Sequence, residues 1–160
     1  MNSATLTITT PSEREVLITR VFDSSANLVF DALTKPEWLK RWYGPAGWTM
    51  VVCEIDLRVG GKWRFVSRQP AGKEIGQFGI YQEIQKPTRI VNTENWEDWD
   101  AGETLVTTVL TEHDGKTTFE CTILFPSQEV RDVVVKSGLE HGAVESYNKL
   151  AEVLAQSINE

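Results

Sequence analysis

The sequence predicts an α+β fold in which a seven-stranded antiparallel sheet packs on a long C-terminal helix. Two patterns point to it. From Leu139 to Ile158, the residues Leu139, Ala143, Tyr147, Leu150, Leu154 and Ile158 recur at steps of three or four, the period of one helix face. Glu140, His141, Glu145, Asn148, Lys149, Glu152 and Gln156 fall on or near the opposite side, so the helix carries one dry stripe and one wet one. From Trp48 to Phe125 the period is two instead. It is interrupted by Gly60-Gly61, Ala71-Gly72, Lys86-Pro87, Ala101-Gly102 and Asp114-Gly115. Gly-Gly and Asp-Gly supply the positive φ angles that two-residue hairpins need, and loops this short join antiparallel neighbours.

In chain order, residues 1–12 are rich in Thr and Ser and read as a flexible tail, leaving 13–160 as a single domain. Arg14 to Phe22 alternates in part and reads as a first strand at one edge of the sheet. Asp23, Ser24 and Ser25 then offer N-caps for a helix over about Ala26 to Leu33 that buries Val29, Phe30 and Leu33. Pro36 stands at the first position of a second short helix carrying Trp38, Leu39 and Trp42, which Gly44, Pro45 and Gly47 end. A six-strand meander follows. Its broad sheet must cover one face, and the C-terminal helix is the element long enough to do so.

Alternation assigns the face turned toward that helix. It collects Val51, Cys53, Ile55 and Leu57, then Trp63 and Phe65, then Phe78 and Ile80, then Ile90, Asn92, Glu94 and Trp96. Val106, Thr108 and Leu110 follow, and finally Phe119, Cys121 and Ile123; one bulge would invert part of this set. Asn92 and Glu94 are polar on an otherwise apolar face, so they either bond within the core or point into a solvated cavity. The helix stripe is itself uneven. Gly138, Gly142, Ala143 and Ser146 make its first half small, while Tyr147, Leu150, Val153 and Leu154 make its second half bulky. The small half leaves space either for a ligand or for large side chains from the facing sheet.

The totals exclude several function classes. With 16 Lys and Arg against 23 Asp and Glu the formal charge is −7, which repels nucleic acid. No stretch approaches the roughly 18 apolar residues of a membrane span, and no signal peptide is evident, so a cytoplasmic protein is expected. Cys53 and Cys121 lie apart in strand-like runs and read as buried free thiols. The two histidines, His113 beside a turn and His141 opposite the buried stripe, read as solvated. Neither joins a Ser or Cys nucleophile in a recognisable triad, and the Cys and His spacings match no zinc site. No metal, cofactor or catalytic residue is therefore expected. An exposed sheet edge or the outer helix surface leaves homodimerisation open.

Particular words carry a resemblance. Lys35-Pro-Glu-Trp-Leu-Lys-Arg-Trp-Tyr-Gly-Pro45 and Asp56-Leu-Arg-Val-Gly-Gly-Lys-Trp-Arg-Phe65 resemble the activator of ninety-kilodalton heat-shock protein ATPase homologue-like family. Gly79-Ile-Tyr-Gln-Glu-Ile84, Pro87, Arg89-Ile-Val91 and Gly138-Leu-Glu-His-Gly142 match as well, and the resemblance covers about Arg14 to Gln156. It implies the helix-grip fold of the START and birch-pollen-allergen-like superfamily, with a largely apolar cavity between sheet and C-terminal helix. It also implies a chaperone link and a role in the stress response as one alternative.

Three functions follow as expectations. The first is binding of a small hydrophobic or amphipathic molecule in that cavity, lined by Trp42, Cys53, Trp63, Phe65, Phe78, Ile80, Asn92, Glu94, Trp96, Val106, Thr108, Phe119, Cys121, Ala143, Ser146 and Tyr147. The second is a chaperone-interacting module, which calls for an exposed apolar patch. The third is a cyclase- or isomerase-like enzyme, with Glu94, Asn92, Tyr81 and Tyr147 as polar groups and Glu94 as acid or base. Of the enzyme and non-enzyme readings, the non-enzyme reading is preferred.

Overall fold

A computed structural model describes residues 6–158 of the chain, and of Ile158 only its backbone. The elements run β1 (Thr7–Thr9), β2 (Glu15–Phe22), α1 (Ala26–Thr34), α2 (Pro36–Trp42), β3 (Thr49–Ile55), β4 (Lys62–Arg68), β5 (Glu74–Gln85), β6 (Arg89–Trp96), β7 (Trp99–His113), β8 (Lys116–Leu124), α3 (Gln128–Lys136) and α4 (Leu139–Ile158). All the strands join one antiparallel sheet in the order β1-β2-β8-β7-β6-β5-β4-β3. The sheet thus has eight strands rather than seven. The addition is β1, which lies in the expected tail and pairs Thr7–Thr9 with Leu17–Thr19, so β2 is one strand in from the edge. Residues 1–5 of that tail lie outside the described residues.

Alternation shapes β2 plainly. Val16, Ile18, Arg20 and Phe22 are buried, whereas Glu15, Leu17, Thr19 and Val21 are less so. At the start of α1, the Ser25 hydroxyl accepts from Leu28 N (3.3 Å) and the Glu112 carboxylate from Ala26 N (2.8 Å), which satisfies two of the free N–H groups there. Pro36 opens α2, and Leu39 and Trp42 bury its inner side.

α3 was not anticipated. Its Val130 and Val133 to Val135 are β-branched and its other residues polar, so propensity argues against a helix, although Val130, Val133 and Val134 keep the spacing of one helix face. What starts it is local: the Ser127 hydroxyl accepts from Val130 N at 3.2 Å. Gly138, at φ +104°, then turns the chain from α3 into α4.

α4 lays Ala143, Leu150, Val153 and Leu154 on the sheet, with Leu150 fully buried. The expected last member of its stripe, the Ile158 side chain, lies outside the described residues. Polar ties on its flank hold it to α2 and the loop beyond. The Arg41 guanidinium donates to Gln156 Oε1 (2.7 Å), Ala46 N donates to Glu145 Oε1 (3.1 Å), and Lys149 Nζ reaches the Pro45 carbonyl (3.5 Å). Glu145 also faces exposed His141 at 3.3 Å, one helical turn away.

Candidate functional site

The interval between sheet and α4 is crowded with aromatic rings. The Tyr147 ring, from the middle of α4, lies 5.0 Å from Phe119, 5.6 Å from Trp42 and 6.5 Å from Phe22, centroid to centroid. Tyr43, the residue that ends α2, sits 5.7 Å from Trp42 and 5.3 Å from Phe65, and Phe65 in turn 4.8 Å from Trp63. Such tilted and edge-on pairs satisfy the ring quadrupoles. Two indole N–H groups are spent on backbone: Trp42 donates to the Ala32 carbonyl (2.8 Å) and Trp63 to that of Thr93 (3.2 Å).

Within these rings lies one polar chain. The Tyr43 hydroxyl donates to Gln77 Oε1 (3.1 Å), and Gln77 Nε2 donates to Glu94 Oε2 (2.9 Å). Among the described residues the second carboxyl oxygen, Oε1, accepts no hydrogen bond and Glu94 makes no ion pair. Nor is Oε1 sealed, since the fully enclosed unpartnered atoms are Arg20 Nε and Ser24 Oγ. Burial without a cation pushes the Glu94 carboxyl up from 4.5 to about 7. It can therefore hold or release a proton near neutrality.

Burial likewise pushes the Cys121 thiol up to about 12, against a hydrogen bond from Thr108 that pulls it down, and pushes Cys53 up to about 11. The hydroxyls of Tyr43, Tyr81 and Tyr147 are raised by burial first, and those of Tyr43 and Tyr147 also by the nearby Glu94 charge. Yet Tyr43, Cys53, Gln77, Asn92, Glu94, Ser146 and Tyr147 are all only half-buried. Each of these groups is walled by protein and still touched by solvent.

Of the residues the sequence assigned to a cavity, the structure brings Trp42, Trp63, Phe65, Phe119 and Tyr147 into the ring cluster, with Ala143 and Cys121 buried in the same core. Cys53 and Val106 pack half-buried against that core, and Thr108 pairs with Cys121 across β7 and β8. Asn92 stands opposite Tyr81, and its amide donates to the Thr93 carbonyl at 3.1 Å.

Phe78 and Ile80 are corrections: they are 42% and 44% exposed, on the outer face. The phase of β5 follows Gln77, Gly79 and Tyr81 inward, because the inner side there must be thin. A Cβ on Gly79 would collide with the Thr93 carbonyl and lie 2.7 Å from the Trp63 indole nitrogen.

Trp96 stands opposite Gln77 at the end of β6, in phase with Asn92 and Glu94. Pairing with β7 jumps from Glu94–Thr104 to Trp96–Trp99, and the Trp96 ring lies 6.4 Å from that of Trp99. The two indoles and Phe78 border an open groove of about 480 Å³ with Asn95, Glu97, Asp98, Asp100 and Gly102. Trp99 begins β7, and Ala101-Gly102 lies inside that strand rather than in a turn.

Tyr43 and Gln77 were missed as site residues. Tyr43 follows a helix end and no period marks it; the small Gly79 beside Gln77 was the available signal.

The model of the family described as activator of Hsp90 ATPase homolog 1-like protein matches residues 23–155. The chain belongs to this family. Solved structures agree with that. A protein from Rhodobacter sphaeroides is 29% identical with a TM-score of 0.89, over 95% of this chain and 99% of its own. A Mycobacterium smegmatis protein is 22% identical with a TM-score of 0.85, over 94% and 97% of the two chains. The AHSA1 protein of Silicibacter pomeroyi is 21% identical with a TM-score of 0.73, over 89% and 99%. The latter two show the shared fold. A search of curated proteins finds no match. In this member of the Hsp90 ATPase activator homologue family, no helix among the described residues is long and apolar enough to cross a membrane. No group of His, Cys, Asp and Glu among them could hold a metal.

Proposed function

We propose that the chain binds a small apolar or amphipathic molecule in the hollow between its sheet and α4. The carrying observation is the set Tyr43, Gln77, Glu94 and Tyr147, ringed by aromatic side chains yet only half-buried. Apolar walls supply affinity in such a site, and a few convergent polar groups orient the guest. The first test is the native mass of freshly purified protein against its denatured mass. Excess mass that vanishes on denaturation, or saturable uptake of the neutral dye Nile red by protein with equal masses, supports the reading. Equal masses without dye uptake overturn it.

A second reading, a chaperone-interacting module, is favoured by Phe78 and Ile80, exposed on the outer face with the Trp96–Trp99 groove alongside Phe78. It predicts that the protein changes the ATPase rate of a purified Hsp90-type chaperone, and that Phe78→Ser with Ile80→Ser removes the change. An unchanged rate counts against it.

A further inference from the structure

Glu94 is the ionisable side chain of the hollow without a committed partner for both of its oxygens. Gln77 fixes one of them at 2.9 Å and is itself held by Tyr43, so the carboxyl is oriented before any guest arrives. The other oxygen is open. Around it stand Tyr43 from the end of α2, Cys121 from β8 and Tyr147 from α4. All of these are neutral near pH 7, and their raised pKa values keep them so. The rings of Trp42, Tyr43, Phe65, Phe119 and Tyr147 present π faces and edges in the same region.

A lone carboxyl walled by aromatic rings, with no cation beside it, is the complement of a protonated amine. The carboxylate takes the charge and hydrogen bond, and the rings attract the cation through their quadrupoles. A carboxylate guest would meet repulsion there. A neutral guest would leave the carboxyl protonated.

Resting on the reading of a ligand-binding hollow, we propose that the guest is an apolar or aromatic amine, bound as its ammonium with Glu94 as counter-ion. The balance is simple. The guest enters carrying its proton, the Glu94 carboxyl releases its own to solvent, and an ammonium–carboxylate pair forms with no other bond made or broken. Below neutrality, binding therefore releases protons, and affinity rises with pH through about 7, where Glu94 ionises.

The test is calorimetric titration with three probes that share one ring system: 2-naphthalenemethylamine, 2-naphthalenemethanol and 2-naphthoate. The expected result is an amine that binds about tenfold or more tighter than the alcohol. Glu94→Gln should abolish that margin, by weakening the amine far more than the alcohol. In wild-type protein at pH 6.5, comparing two buffers of different ionisation enthalpy should show proton release with the amine and none with the alcohol. That measurement stands even if the variant does not fold.

Alcohol or naphthoate binding as tightly as amine overturns the amine proposal and leaves the hollow intact. An amine preference that survives Glu94→Gln, or amine binding without proton release, overturns the role of Glu94. No binding by any probe counts against the hollow itself, and the proposal falls with it.

Discussion

Glu94 also couples the stability of the unliganded protein to pH. Its carboxyl is raised from 4.5 to about 7 by burial, so the folded state holds that proton more tightly than the unfolded chain does. The resulting stabilisation is complete below about pH 4.5 and is lost as pH rises to about 7. Because the carboxyl is only half-buried, the loss should be roughly 1 to 3 kcal/mol. Urea denaturation of wild type and Glu94→Gln between pH 4.5 and 8 should show the difference between them drifting in the variant's favour and levelling above 7; a constant difference would refute the desolvation of Glu94.

Arg20 makes the opposite kind of demand. It is 3% exposed, donates to Asn148 Oδ1 at 2.7 Å, lies 5.3 Å over the Phe22 ring and leaves Nε without a partner. Burial lowers its pKa, and among the described residues no carboxylate pairs with it. Replacing such a cation with an apolar chain of similar length removes a desolvation cost. Arg20→Met is expected to change stability by less than about 1 kcal/mol or to raise it; a loss above about 2 kcal/mol would mean the charge is well compensated.

At the scale of elements, the narrowest fit is where β4, β5 and β6 meet at Gly79. Its missing side chain lets the Thr93 carbonyl and the Trp63 indole approach, and Thr93 Oγ1 also accepts from Ile80 N at 2.9 Å. Gly79→Ala should cost about 2 to 4 kcal/mol through displaced backbone and a broken indole hydrogen bond, seen as a lower urea midpoint and altered tryptophan emission. Gly142 is the contrast. A Cβ there would meet Pro45 at an ordinary 3.5 Å, so Gly142→Ala in the interior of α4 should be neutral or stabilising by up to about 1 kcal/mol.

Most elements were legible because their residues agree with the local rule. Ser25 caps α1, Pro36 opens α2, and Gly60-Gly61 and Asp114-Gly115 turn the chain. β5 was misread because Phe78 and Ile80 are its conspicuous apolar residues, and alternation by itself cannot say that a glycine holds the inner position. The β6–β7 turn was misplaced for a related reason. Gly102, at φ +97°, serves a bulge instead of a loop.

For the whole molecule, one sheet and one long helix share one core, in which Phe22, Phe30, Leu39, Phe119, Leu150 and Leu154 are almost fully buried. α4 cannot leave without exposing that core, so unfolding should be a single event. Urea transitions followed by far-ultraviolet circular dichroism and by tryptophan emission should coincide; a separate early transition would mean that α4 detaches by itself. Leu150→Ala should lower stability by about 2 to 5 kcal/mol.

The sequence by itself determined the elements other than β1 and α3, their antiparallel pairing, the dry face of α4 and the membership of the Hsp90 ATPase activator homologue family. Those features follow from periodicity, caps and turns, which act within a few residues. The tertiary structure decided which face of β5 is buried, that Trp96 and Trp99 border one groove, and that Tyr43 and Gln77 hold Glu94. Gln77 and Glu94 meet through the pairing of β5 with β6, and Tyr43, the residue just past α2, comes within hydrogen-bond reach of them only because α2 packs over the sheet.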